Sequence, residues 1–351
     1  MSWIAARAAG DLRMASRPLT AGAPILRGSL AAEIGSAMDE DAPLIFVRDA
    51  DRGLMLAIQR GTDGAITLLH RSGDTRVALS VAAGDAPGRL TYVWDAPAGR
   101  SLLSYETQDG KIRQQAGPMP PALTECMVRS LLERDGTGHP ALVWWSVVAG
   151  RLPVGPGPLL APQALVETDR GKVPAAALRR GDLVRTADRG LQPVLWSAPV
   201  AAPALGSHRG VRFLAPFFGP GDDLIVHPSA HVLIATPEVE YLFGDTEILV
   251  EARHLVNGRT VLREEADPGC VWQGILLERR CLIRAEDCLV LSVGAGALAR
   301  SPEIAATTAL GLLAATTGLP VHGRPSQRIA APYEAAALAQ AMMRRITPVA
   351  A

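Results

Sequence analysis

The 351-residue chain carries 35 Lys and Arg against 35 Asp and Glu, and 48% of its residues are apolar. The zero net charge excludes a dedicated nucleic-acid binder, which needs a basic surface to displace phosphate counterions. The apolar content excludes wholesale disorder, and the length suits two or three domains.

Residues 1–40 mix Ala, Gly, Arg and Pro without sustained period and are expected to form a loose leader. "MSWIAARAAGDLRM" is broken by Arg7, Asp11 and Arg13 before a signal-peptide core forms, and no apolar run reaches the ~18–20 residues of a membrane span. Neither a signal peptide nor a transmembrane segment is therefore expected, which leaves the compartment open between the cytoplasm and leaderless export. From Pro43 the texture changes. "PLIFVRD", "LMLAIQR", "AITLLHR", "VALSVAAG", "RLTYVWD" and "SLLSYETQDG" are short apolar runs separated by "GTDG", "RSGD" and "GDAPG". Strands this short with turns this dense predict an antiparallel β-sandwich over residues 41–150. Alternation in "LTYVW" puts Tyr92 on one face together with Leu90 and Trp94. Within that block, "ALTECMVRSLLERD" has a helical stripe of Leu123, Met127, Val128 and Leu131, and "HPALVWWSVV" reads as a further strand.

"AGRLPVGPGPLLAP" carries prolines at 153, 156, 158 and 162 and marks the domain boundary. Beyond it, over residues 151–300, "QALVET", "DLVRT", "PVLWSA", "DLIV", "HVLIA", "EYLFG", "EILVEA", "VWQGILLE", "CLIRA" and "CLVLSV" predict a second, mostly β block. A short helix is expected at "RHLVNG". Residues 301–351 turn helical, with "YEAAALAQAMMRRI" as an amphipathic terminal helix.

The common catalytic signatures are absent: there is no GxSxG elbow, Walker loop, HExxH or EF-hand loop. Gly294-x-Gly296-x-x-Ala299 follows a strand, but residues 304–333 contain no acid to hold a ribose, so it reads as a small-residue turn. Asp222 and Asp223 read as a solvated turn before a strand rather than a calcium site. Glu33, Asp39, Glu40 and Asp41 read as a solvated acidic stretch. Cys126, Cys270, Cys281 and Cys288 lack CxxC or CxxH spacing, and a structural zinc site is not expected. In "HPSAH", His227 and His231 sit four residues apart. On an extended strand that separation is about 13 Å, too far for two zinc bonds of roughly 2 Å. No metal and no cofactor is expected.

The stretches "ALRRGDLVRTADRGLQPVLW" and "VEYLFGDTEILVEARHLVNGRTV" resemble the Hint (Hedgehog/intein) domain, in the bacterial branch where Hint modules stand outside inteins. The resemblance spans about residues 158–296. It implies an all-β horseshoe, and the tail "LPVHGRP…YEAAAL" is similar to the extension found beside such modules. The first block, through "RLTYVWDAPAGRSLLSYE", resembles the lectin-like sandwich that accompanies some of them.

Hint self-processing requires a Cys, Ser or Thr at the start of the domain to attack the preceding carbonyl, and a His to assist departure of the amide nitrogen. Matching "VETDRG" to the family's early strand places Leu159 at the nucleophile position. Residues 147–167 contain no Cys, Ser or Thr at all. The family's Ser-Pro-x-His run places its histidine on Ala230, with His231 one residue on and so on the opposite face of a strand. Arg280 stands where the family carries a late His, while His254 matches the family position and is expected to fix a turn. These readings imply a degenerate module that does not cleave itself and serves as a scaffold or binding unit for a protein or carbohydrate partner. The alternatives are self-processing through a remote group such as His231 or Cys281, and a carbohydrate- or surface-binding protein acting through the sandwich. The oligomeric state is left open.

Overall fold

Alternating runs bounded by glycine turns become antiparallel strands wherever one face is buried, and both blocks of the chain follow this rule. The computed structural model describes residues 2–8, 12–16, 23–36, 43–50, 53–118, 122–133, 139–155 and 159–346. Asp39, Glu40, Asp41 and the linker residues 156–158 lie outside them. The chain divides into two compact units, Met1–Gly155 and Pro156–Ala351. Among the described residues no helix is long and apolar enough to cross a membrane.

The first unit is a β-sandwich. One sheet runs, in spatial order, Ile112–Gly117, Arg100–Thr107, Gly88–Asp95, Arg27–Ile34, Leu142–Ala149, Ser2–Ala8 and Leu12–Ala15. The other is a meander of Ile45–Asp49, Leu54–Arg60, Ala65–Ser72 and Thr75–Ala82. Leu30, Leu90, Tyr92, Trp94 and Leu103 of the first sheet share one core with Leu56, Ile58, Ile66, Leu68 and Leu79 of the second. The described part of residues 1–40 is therefore not a loose leader: Arg27–Ile34 lies near the middle of the larger sheet, paired on both sides, and Ser2–Ala8 pairs with Leu142–Ala149. These strands are rich in Ala, Ser and Gly and lack a strong apolar alternation. Their small side chains are buried because large neighbours fill the space, and Gly28 lies under the Trp94 ring, where a Cβ would come within 2.3 Å. Glu33, read as part of a solvated stretch, is buried and accepts a hydrogen bond from the Trp144 indole.

The expected helix forms over Glu125–Glu133 and buries Met127, Val128 and Leu131. Thr124 caps it, its hydroxyl oxygen accepting the Met127 N–H at 3.3 Å, an arrangement worth about 1 kcal/mol. Leu123 lies just before the helix in a two-residue strand.

In the second unit, Gly190–Ala201 is long enough to pair with both Leu183–Thr186 and Val271–Leu277. The sheet continues through Leu165–Thr168, Leu282–Ala285, Cys288–Leu291 and His231–Ile234 to Ile248–Glu251. A smaller sheet joins Leu224–Val226, Val211–Phe213 and Val261–Arg263. "EYLFG", expected as a strand, is instead the end of an α-helix, Pro237–Phe243. Pro237 at the first turn suits a helix start, and Gly244, at φ 71°, closes its end by donating to the Glu240 carbonyl. Asp223 is not merely a solvated turn residue. It accepts from the Ala215 N–H at 2.9 Å and from Arg212 at 3.1 Å, and Arg212 also grips Glu264 with two nitrogens.

The terminal segment packs into the same core. Leu310, Leu313, Ala335, Leu338 and Ala339 are buried with the strand residues. Leu249 and Ile329 form a parallel bridge in which the Leu249 N–H donates to the Arg328 carbonyl and the Ala330 N–H to the Leu249 carbonyl, both at 2.9 Å. This covers the outer edge of Ile248–Glu251, an edge that would otherwise expose unpaired main-chain groups.

Candidate functional site

The start of the second unit is threaded into its centre. Leu159 and Leu160 are 4% and 0% exposed. The Leu159 N–H donates to the Gln273 carbonyl at 3.1 Å, and the Leu159 carbonyl accepts from the His227 N–H at 2.9 Å. Leu160 bridges to Gln273 on one side and Val226 on the other. The main chain of residue 159 is thus held between Val271–Leu277 and the end of Leu224–Val226, and its leucine side chain fills core volume.

"HPSAH" turns where an extended strand was expected: the Ala230 N–H donates to the His227 carbonyl at 2.9 Å, and the strand proper begins only at His231. Pro228, with its fixed φ, favours such a bend. The turn gives the two histidines separate surroundings. His227 is buried, its ring edge-on to Trp272 at 5.4 Å between centroids and 6.3 Å from His208. The Ser229 hydroxyl and N–H both lie against its Nδ1, at 2.7 and 3.3 Å. Ala230 is buried, with its methyl group in the core and its carbonyl accepting the Ala252 N–H at 2.8 Å.

His231 pairs across the sheet with Glu251. Glu251 in turn accepts from Arg253 and approaches His254, whose Nε2 stands 3.5 Å from its Oε2. Burial works to raise the Glu251 carboxyl, but the contacts with His254, Arg253 and His231 outweigh it and hold the group below the usual carboxylate range. His231 is pushed below the ordinary histidine value, chiefly by burial; Glu251 opposes that shift, whereas Arg280 and Arg253 add to it. Replacing Glu251 by Gln is therefore expected to lower the His231 titration midpoint further. An NMR titration of the ring protons checks this, with His231→Gln supplying the assignment, and an unchanged or raised midpoint would refute it.

The structure brings together His231, Glu251, Arg253 and His254, and separately His227, Ser229, His208 and Trp272. Of these, sequence reading singled out the three histidines 227, 231 and 254. It missed Glu251, Arg253 and His208, because nothing in a single strand or loop announces what lies opposite it. His254 sits in the 3₁₀ turn Ala252–Leu255, where its side-chain contact with Glu251 ties the turn to the strand. Among the described residues, no three His, Cys, Asp or Glu side chains converge to hold a metal ion. None of the four cysteines is joined in a disulfide. Cys281 and Cys288 are buried, and burial raises both thiols, Cys288 to about 12. The glycines of "VGAGALA" have packing roles: Gly294 leaves room for the Arg280 guanidinium, and Gly296 for the main chain at His322.

The sequence model of the Hint domain family matches residues 158–297. Among solved structures, the gp41-1 intein is 17% identical, with 39% of this chain covering 98% of it at a TM-score of 0.27. The MchDnaB-1 intein is 11% identical, with 38% of this chain covering 98% of it at 0.25. The Ruminococcus gnavus IT-sialidase CBM40 bound to alpha2,3 sialyllactose is 9% identical, with 42% of this chain covering 87% of it at 0.26. No curated protein matches. The assignment rests on the sequence match, which starts at the threaded segment and ends just beyond the last strand: residues 158–297 of this chain are a Hint domain.

Proposed function

We propose that this Hint domain does not cleave its own chain and serves as a folded, partner-binding unit. The carrying observation is Leu159. At the opening of the domain the side chain is a buried hydrocarbon, and main-chain hydrogen bonds to Gln273 and His227 engage both its N–H and its carbonyl. An acyl shift needs a side-chain oxygen or sulfur beside the preceding carbonyl, and residues 147–167 supply none. Ala230 puts a methyl group where the resemblance places the assisting imidazole. His231, next along, is directed to Glu251.

A remote thiol is a poor substitute. Cys281 is fully buried, and burial raises its pKa, which keeps it protonated and weakly nucleophilic near neutral pH. Intact mass spectrometry of the purified chain, incubated with and without dithiothreitol or hydroxylamine, tests the proposal. A single unchanged species near 37.0 kDa is the expected result. Fragments ending at or near residue 158, increasing with the added nucleophile, would establish self-processing instead.

A further inference from the structure

A cleft of about 850 Å³ opens between the turn at Arg280, the segment Gly296–Arg300 and the terminal stretch 322–329. Four arginines line it, at 280, 300, 324 and 328, and no carboxylate does. Arg328 is neutralised by Asp245 and Glu334. Among the described residues no carboxylate pairs with Arg280, Arg300 or Arg324.

Arg280 is the unusual member. Its guanidinium is half-buried, and its Nε has no hydrogen-bond partner among the described residues. Gly294 makes the space it occupies, since a Cβ there would stand 3.2 Å from both Nε and Cζ. Burial destabilises the charged form of Arg280, with no counter-charge offsetting it. A partly desolvated cation whose Nε–H has no acceptor is costly unless something pairs with it. The opposite wall is held in place. His322 Nδ1 accepts the Ala295 N–H at 3.1 Å, while its Nε2 lies 3.1 and 3.2 Å from the Leu277 and Glu278 carbonyls. Ser326 and Gln327 add neutral polar groups on the same wall.

We propose that this cleft binds a small molecule carrying two or more closely spaced negative charges on oxygen, as in a diphosphate or a tricarboxylate. Planar guanidinium forks match such oxygens bidentately, and the volume falls within the usual range for small-ligand sites. Calorimetric titration of the full chain with pyrophosphate and, separately, citrate tests this at physiological ionic strength, with acetate as the singly charged control. Saturable binding at about millimolar affinity or tighter is expected for at least one polyanion and not for acetate. Stronger binding of pyrophosphate identifies a phosphate ligand, and stronger binding of citrate a carboxylate one. Arg280→Met is expected to weaken binding about ten- to hundredfold. Arg324→Ser, on the exposed stretch, should weaken it severalfold without affecting folding, and serves if the Arg280 variant fails to fold. Absence of saturable binding to both polyanions, or affinities unchanged in both variants, would overturn the proposal.

Discussion

Trp94→Ala is expected to destabilise the N-terminal unit by about 3–5 kcal/mol, the range for removing a buried aromatic side chain. Trp94 is 1% exposed, its ring lies over Gly28 and beside Tyr92 at 5.6 Å, and its indole N–H donates to the Ile25 carbonyl at 2.6 Å. Truncation removes the apolar contacts and leaves that buried carbonyl without its donor. The complementary change, Gly28→Ala, is expected to destabilise by about 1–3 kcal/mol through overpacking. Because the two residues touch, the effects should not add: in a Trp94→Leu background, the alanine at 28 should lose most of its penalty. Hydrogen exchange of the strands Arg27–Ile34 and Gly88–Asp95, followed by mass spectrometry in increasing urea, reads the stability of this unit apart from the other. Additive effects in the cycle would show that the Gly28–Trp94 contact is not the source of the strain.

Acid should weaken the same unit through His70. This histidine is fully buried, its Nδ1 lies 3.1 Å from the Tyr92 hydroxyl, and burial lowers its pKa from 6.5 to about 4. In the unfolded chain the imidazole takes up a proton near pH 6.5, whereas the folded unit resists protonation until about pH 4. Above pH 6.5 the group is neutral in both states and imposes no penalty. As pH falls below 6.5 the unfolded state binds more protons, so stability drops, by about 2 kcal/mol at pH 5, and levels off below about pH 4. His70→Phe removes this proton uptake while retaining an aromatic ring, and Tyr92 keeps its contact with Ser101. The expected result is a shallower loss of stability between pH 6.5 and 4 in the variant. Equal slopes in the two proteins would assign the acid response to other groups.

His70 also marks how far the sequence could be read. It stands two and four residues from Leu68 and Ile66 in an alternating run, so its inward direction was available from period alone. The Tyr92 hydroxyl opposite it was not, because that contact joins strands 22 residues apart across two sheets. The same division recurs in the Hint domain. The absence of a nucleophile over residues 147–167 is a property of composition and needs no coordinates. That Leu159 is a core side chain threaded between two strands is a property of the assembled sheet.

Strands, turns and the mainly β class were legible because side-chain alternation and glycine turns are local, and a short window contains the whole signal. "EYLFG" was misread because its apolar residues fit either period, and the signals that decide it, Pro237 and Gly244, flank the run. Residues 1–40 were misread for the opposite reason. Small side chains carry little hydrophobic signal of their own, and burial of Arg27–Ile34 depends on the flanking strands that carry Tyr92, Trp94 and Trp144, with the Trp94 ring lying over Gly28. The grouping of His231 with Glu251, Arg253 and His254, the bend at Pro228 and the unpaired Arg280 cleft belong wholly to the tertiary structure. Each depends on pairing or burial between segments distant in the chain, where a residue's chemistry is set by neighbours that its own stretch of sequence does not contain.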